Sequence, residues 1–304
     1  MKFIRSVFHP RQVLVLIYFI YIAGNLALYI GPVVVLGLVK FMVPIQLVRR
    51  ACYRIMVTIY RAAVGANVFL FGRILGLGVE VTGLDDLRPD RDQVVLVNHQ
   101  SWADILMVQN LFHRRAPIPK FIAKWQVVFI PLVGLICWAY EFPLVRRYSR
   151  DYKRKYPEKA GRDLWMLEKH FSRPGLSRFS IIIYADGTRY TPAKAAGQQS
   201  PFRHLLRPKA GGLTNVIRAL GPKIDELLDL TIVYDCLPPV LLNLLAGQCR
   251  GAVVRGRRIR LADWFEKDAQ GKFVVHQEVV AERLNELWAE KDEFIERVKA
   301  DFHR

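Results

Sequence analysis

Between Arg11 and Lys40 the chain carries no formal charge: Gln12 to Val39 reads QVLVLIYFIYIAGNLALYIGPVVVLGLV. As a helix these 28 residues extend about 42 Å at ~1.5 Å per residue, beyond the ~30 Å hydrocarbon core of a bilayer. The run is also too long for the apolar stretch of a cleaved secretion signal. It therefore predicts an N-terminal membrane-anchoring helical segment. Gly24-Asn25 and Gly31-Pro32 interrupt it, which fits one tilted span or a bent pair of half-helices entering and leaving on the cytoplasmic side. Cations flank both ends, Lys2, Arg5 and Arg11 before and Lys40, Arg49, Arg50 and Arg54 after, so the charge asymmetry that orients membrane segments is blunted. A second apolar stretch, Met56 to Gly78, is broken by Arg61 and Arg73 and reads as an amphipathic connector lying against the membrane.

From Val79 onward the texture changes to short β-rich runs alternating with helical ones, the pattern of an α/β domain. Strands are expected at Val79–Thr82, at Val94–Val97 ending on Asn98-His99, at Ser180–Tyr184 ending on Asp186-Gly187-Thr188-Arg189, and at Leu230–Val233. A helix is expected to begin near Ser101. The run VVFIPLVGLICWAY, Val127 to Tyr140, is short for a span and holds Pro131 and Gly134, so it reads as a core or interface element. Val275 to Val298 has helical periodicity with mixed charge and reads as a solvated surface helix. The chain thus divides into residues 1–78, anchor and connector, and residues 79–304, one α/β domain with a C-terminal helix.

The 304 residues are 52% hydrophobic and 24% charged, which excludes a disordered basic tail. Lys plus Arg number 45 against 27 Asp plus Glu, a net charge of +18. Such an excess suits nucleic acid or an anionic membrane. A nucleic-acid binder gathers its arginines on one element with aromatic stacking partners. Here they spread over the juxtamembrane run, Arg146 to Lys155, and Arg250 to Arg260, so an anionic membrane is the expected partner and nucleic acid is not. Cys52, Cys137, Cys236 and Cys249 show no CxxC spacing and no nearby His; they read as reduced packing residues, with no metal site.

Two polar clusters end buried strands, where open α/β sheets place their ligands. In Asn98-His99-Gln100-Ser101-Trp102-Ala103-Asp104, a helix starting between His99 and Asp104 would turn the two side chains together. The carboxylate would fix the imidazole tautomer and leave the other ring nitrogen free to take a proton. No GxSxG and no serine or cysteine in a nucleophile-like turn occurs, so the proton would come from a substrate hydroxyl. Tyr184-Ala185-Asp186-Gly187-Thr188-Arg189 supplies a glycine for a tight turn and an arginine for an anion. Pro208-Lys209-Ala210-Gly211-Gly212, opening a helix, could cradle a phosphate, and Lys124 is a further cation within reach of one.

These clusters resemble the motifs of the PlsC-like glycerolipid acyltransferases. Asn98-His99 with Asp104 matches that family's NH-x4-D motif, and Asp186-Gly187-Thr188-Arg189 matches its EGTR motif in three of four positions. The similarity runs from about Val79 to Asp235 and looks closest to the branch that includes bacterial inner-membrane acyltransferases of this size and the eukaryotic lysophospholipid acyltransferases with long insertions between motifs. It implies a mixed sheet flanked by helices. It also implies His99 as general base, Asp104 as its orienting carboxylate, and a substrate site built by Arg147, Asp186, Gly187, Thr188 and Arg189, with Arg189 on the acceptor's phosphate. Arg147 comes from Glu141-Phe142-Pro143-Leu144-Val145-Arg146-Arg147, which stands where the family's second motif does but has Leu144 in place of its usual aromatic. Asp186 replaces the usual Glu, shortening the carboxylate's reach by roughly 1.5 Å. The fourth motif is weakly matched by Leu230–Tyr234. The implied reaction moves an acyl group from acyl-CoA or acyl carrier protein, with no cofactor, to the sn-2 hydroxyl of 1-acylglycerol-3-phosphate, giving phosphatidic acid, with another lysophospholipid or an aminolipid as the alternative acceptor. The enzyme would sit on the inner membrane with its catalytic domain on the cytoplasmic side.

Overall fold

A computed structural model describes residues 10–302 apart from 149, 174, 237, 239 and 268–272. Lys2 and Arg5, two of the flanking cations, lie outside the described residues.

The apolar run forms one continuous helix, α1 (Pro10–Met42), which carries Pro32 in its interior. The bent pair of half-helices is thereby corrected: Val33 is buried directly after Pro32 and holds that turn in place. The chain reverses over residues 43–45 into α2 (Gln46–Phe69), which continues as a π-helical turn, Leu70–Ile74. The stretch read as a connector is thus the return helix of a hairpin. Both arms are long and apolar enough to cross a membrane. Asn25 knits them together, its Nδ2 donating to the Ala63 carbonyl and Asn67 Oδ1, both at 2.9 Å.

The body is a six-stranded mixed sheet of β1 (Gly78–Thr82), β2 (Gln93–Val97), β3 (Pro119–Phe121), β4 (Ser180–Tyr184), β5 (Glu226–Tyr234) and β6 (Gly251–Arg260), in the order β1-β6-β5-β2-β4-β3. β5, β2, β4 and β3 run parallel, and β6 is antiparallel to β5. Strands of a sheet covered on both faces are apolar at every position, and every residue of β2 is buried. Val94 and Leu96 face one core, closed by α5 (Arg162–Phe171), α6 (Ala210–Leu220) and α8 (Gln277–Phe302). Val95 and Val97 face the other, closed by α3 (Ala103–Phe112) and α7 (Val240–Leu245). This is the α/β architecture that the resemblance implies.

The hairpin lies along the body. Val15, Tyr18 and Ile22 pack on the second core, while at the far end Lys40 Nζ donates to the Ala139 carbonyl at 2.8 Å and meets Glu141 at 3.2 Å. Those partners close α4 (Val133–Ala139), so the Val127–Tyr140 run is an interface element, with Trp138 against Gly37.

The C-terminal helix differs from its reading. Trp288 and Lys291 of α8 are fully buried, and Lys291 Nζ meets Asp229 Oδ1 at 2.7 Å and the Leu230 carbonyl at 2.7 Å. Its charged residues conceal an inward stripe of Val280, Leu284, Leu287, Trp288 and Ile295. The cysteine reading is corrected as well, because Cys236 and Cys249 form a disulfide. The antiparallel register sets Tyr234 opposite Ala252, so the residues just beyond the β5–β6 pair meet although 13 positions separate them in sequence.

Candidate active site

The carboxyl ends of three adjacent parallel strands, β5, β2 and β4, meet at one edge of the sheet. β2 delivers Asn98-His99. Asn98 is fully buried and acts as a bracket to β5: its Nδ2 donates to the Ile232 carbonyl and its Oδ1 accepts from the Ile232 amide, both at 2.9 Å. That two-point bond fixes the backbone from which His99 projects. The next turn leads into α3, and Asp104 in the helix's first turn comes back toward the imidazole, with His99 Nδ1 to Asp104 Oδ2 at 2.8 Å. The same oxygen accepts the amides of Gln100 at 2.7 Å and Ser101 at 2.9 Å, while Oδ1 accepts the Tyr234 hydroxyl at 3.0 Å. Four donors thus hold this buried carboxylate in place.

One face of the imidazole is covered. Tyr184, the last residue of β4, stacks on His99 with centroids 4.0 Å apart, and Phe121 of β3 stacks on Tyr184 in turn. Burial and the nearby Asp104 charge push the Tyr184 phenol well above its ordinary value, so it stays protonated. Among the described residues no group bonds His99 Nε2, and the side chain keeps 14% of its exposure. A neutral imidazole with Nδ1–H held by a carboxylate presents a basic lone pair there.

Asp186, Gly187, Thr188 and Arg189 form the turn after β4. Asp186 is completely buried. Its Oδ2 accepts the His99 amide at 2.9 Å and its Oδ1 accepts the indole N–H of Trp288 at 3.3 Å. Burial raises its carboxyl to about 6, against the lowering by these donors. The shortness of Asp against Glu is met here: the His99 backbone and Trp288 both come to the carboxylate. Gly187 adopts φ +70°, and a Cβ there would lie 3.3 Å from the Lys209 side chain, which therefore crosses the turn. Lys209 stands at the N-cap of α6. Lys194 Nζ bonds the Thr188 hydroxyl at 3.0 Å and the Arg189 carbonyl at 3.1 Å. The Arg189 guanidinium lies 4.7 Å above the Trp102 ring, which sets it beside the His99 loop.

The structure thus joins His99, Asp104 and Asp186 directly and carries Gly187, Thr188 and Arg189 on the same turn. Arg147 is less central. Its guanidinium donates to the Ile122 carbonyl at 2.8 Å, just beyond β3, and its amide is held by Asp163. Its link to His99 runs through the Phe121–Tyr184 stack. Neighbouring Arg146 lies over Trp125 at 4.0 Å. Of the residues that complete the site, Asn98, Tyr184 and Tyr234 lie within motifs read from the sequence but carry no role in that reading, and Trp288 lies outside them. Tyr234 and Trp288 contact the site from 130 and 102 positions away in sequence.

The sequence profile of the acyltransferase family matches residues 78–235, just over half of the chain. Curated relatives are more distant. The chain is 27% identical over 191 residues to the probable 1-acyl-sn-glycerol-3-phosphate acyltransferase 5 of Arabidopsis thaliana, covering 59% of this chain and 48% of that protein. It is 26% identical over 242 residues to the 2-acyl-1-lysophosphatidylinositol acyltransferase of Saccharomyces cerevisiae, covering 68% of this chain and 61% of that protein. The chain therefore spans about half to three fifths of the length of these relatives. The crystal structure of the 1-acyl-sn-glycerophosphate acyltransferase PlsC from Thermotoga maritima is similar in fold, with a TM-score of 0.50 at 17% identity, covering 97% of this chain and 99% of that one.

Proposed function

The chain belongs to the acyltransferase family, and from that premise we propose that it moves a fatty acyl group from an acyl thioester to the sn-2 hydroxyl of 1-acylglycerol-3-phosphate, forming phosphatidic acid. The observation that carries this reading is the His99–Asp104 pair, with Nδ1 occupied at 2.8 Å and Nε2 open. Nε2 takes the proton of the acceptor hydroxyl as its oxygen attacks the thioester carbonyl. The tetrahedral intermediate collapses with cleavage of the C–S bond, and the departing thiolate takes the proton back from the imidazolium. Asp104 holds the ring and offsets its transient charge. No acyl-enzyme is required. Arg189, assisted by Lys209 across Gly187, receives the acceptor's phosphate, and Arg147 supplies a further cation toward the β3 side. The donor is acyl-CoA or acyl carrier protein.

Membrane association is supported by the hairpin, residues 1–78 serving as the membrane-binding unit and residues 79–304 as the acyltransferase domain. Contacts of both ends of α1 with the same body favour a hairpin lying along the bilayer surface, with Leu16, Ile20, Leu28 and Phe41 exposed to lipid. We place it on the cytoplasmic leaflet of an inner membrane. A second reading, acylation of another lysophospholipid, is favoured by the similarity to the yeast lysophosphatidylinositol enzyme.

Purified protein assayed with defined lysolipids and acyl-CoA tests both readings. His99→Ala is expected to lose about 10²–10⁴ in rate, the contribution of a general base. Undiminished turnover in that variant would refute the mechanism, and preference for an acceptor other than lysophosphatidic acid would establish the second reading.

A further inference from the structure

A cavity of about 1060 Å³ opens between the α1–α2 turn and α5, and none of His99, Asp104, Asp186 or Arg189 lines it. Tyr18 of α1 packs on the core that contains Tyr234, whereas Lys40 borders the cavity. The helix carries these two residues about 33 Å apart at ~1.5 Å per residue. No catalytic residue borders the cavity; its wall residue Phe142 is separated from His99 by the rings of Phe121 and Tyr184, in contact in series at 6.4, 6.0 and 4.0 Å.

Its lining is strongly basic. Lys40, Arg49, Arg50, Arg54, Lys169 and Arg173 face it with one carboxylate, Glu141, which Lys40 takes at 3.2 Å. Among the described residues the other five form no ion pair. Arg49 is oriented by donation from Nε to the Lys40 carbonyl at 3.1 Å. His170 lines the same cavity at 6% exposure, and its buried Nε2 has no partner. Burial, Lys120 and Arg173 together hold that imidazole down at about 4, and burial with the nearby Lys40 lowers the Lys120 ammonium to about 8.

The lining also includes apolar residues, among them Phe41, Trp138 and Phe142. Phe41 and Trp138 meet with centroids 6.4 Å apart, and beyond them the turn exposes Phe41, Met42 and Leu47 at 72%, 74% and 77%. A soluble anion would use only the cations of such a lining, whereas an amphiphile uses its apolar residues as well. We propose that this cavity holds the phosphate-bearing head group of an anionic glycerophospholipid, with its acyl chains along the exposed turn, as a site separate from the acceptor acylated at His99. The site rests on the membrane reading given above and adds a specific lipid contact to it.

The test uses the full chain and an Arg50→Ala/Lys169→Ala variant, both residues being exposed. Arg88→Ala/Arg260→Ala serves as a charge-matched control, since neither residue lines the cavity. Binding is measured to phosphatidylcholine vesicles and to phosphatidylcholine vesicles doped with phosphatidylglycerol, and inorganic phosphate binding is measured by calorimetry. At about fivefold per cation near an anionic surface, the cavity variant is expected to lose about 25-fold of the preference for doped vesicles, and the control about threefold or less. Equal losses in the two variants would overturn the site. Binding of wild type to neither vesicle would refute the membrane reading and the lipid occupant together, whereas equal binding to both vesicles would keep the membrane reading and overturn the anionic-lipid site. Phosphate binding that equals the vesicle effect and shows no lipid preference would likewise overturn the lipid.

Discussion

Removing one hydrogen from Trp288 should move the acid limb of the enzyme's pH profile. Trp288 is 0% exposed and gives its indole N–H to Asp186 Oδ1 at 3.3 Å; the other oxygen of that carboxylate holds the His99 amide. Trp288→Phe keeps an aromatic ring in the core but withdraws the donor. A hydrogen bond to a charged group is worth about 1.5–3 kcal/mol, and at 3.3 Å this one belongs at the lower end. One pH unit corresponds to about 1.4 kcal/mol, so the variant raises the Asp186 carboxyl by about one pH unit from about 6. Neutral Asp186 carries a proton on one of two oxygens that both face N–H donors, so protonation disturbs the backbone of the general base. Rate against pH for kcat/KM is expected to show its acid-side midpoint about one pH unit higher in the variant, with the two profiles converging above pH 8. A profile that falls uniformly at every pH, without a moved midpoint, would refute the assignment and leave Trp288 a packing residue.

Two further outcomes follow from the same geometry. Gly187→Ala places a Cβ at φ +70° and 3.3 Å from Lys209, so stability should fall by about 1–2 kcal/mol from the left-handed backbone. KM for the phosphorylated acceptor should rise with it, and an unchanged KM would sever Lys209 from acceptor binding. His170 and Asp186 should tilt stability in opposite directions over one pH window. His170 is depressed from 6.5 to about 4, so its contribution is complete above 6.5 and is lost as pH falls through 4. Asp186 is raised from 3.8 to about 6, so its contribution is complete below 3.8 and is lost as pH rises through 6. Each is worth about 3 kcal/mol, and together they nearly cancel between pH 4 and 6. In His170→Asn the Asp186 slope should outweigh the smaller opposing one of His113, whose imidazole is also lowered by burial, so the unfolding midpoint falls as pH rises from 4 to 6; a midpoint flat in that window contradicts it.

What was legible in the sequence was what is local. His99 and Asp104 are five positions apart and share one turn, and the 186–189 cluster is a single strand exit. Their contact needs only a strand, a turn and a helix start. The partners supplied by Tyr234 and Trp288 depend on sheet order and on which face of α8 turns inward, neither of which is encoded in a window around His99. α8 was misleading for a physical reason: its charged residues outnumber its buried stripe, and Lys291 is a charge that belongs to the inside, neutralised by Asp229. α2 reads as a connector because Arg61 and Arg73 break its hydropathy, yet packing against α1 makes it half of a hairpin. The cysteine pair was hidden because only the antiparallel register of β5 and β6 reveals that Cys236 and Cys249 face one another.

The stacking of Tyr184 on His99 has a stereochemical consequence. With one ring face shielded and Nδ1 engaged, the open lone pair lies in the plane of the imidazole, and that plane is fixed by a phenol at 4.0 Å and 19°. An incoming hydroxyl must therefore arrive edge-on, along a direction set by β4. In the proposed reaction this aligns the attack before the acceptor's tail or head is read, so regiochemistry is a property of a ring's tilt as much as of any pocket's shape.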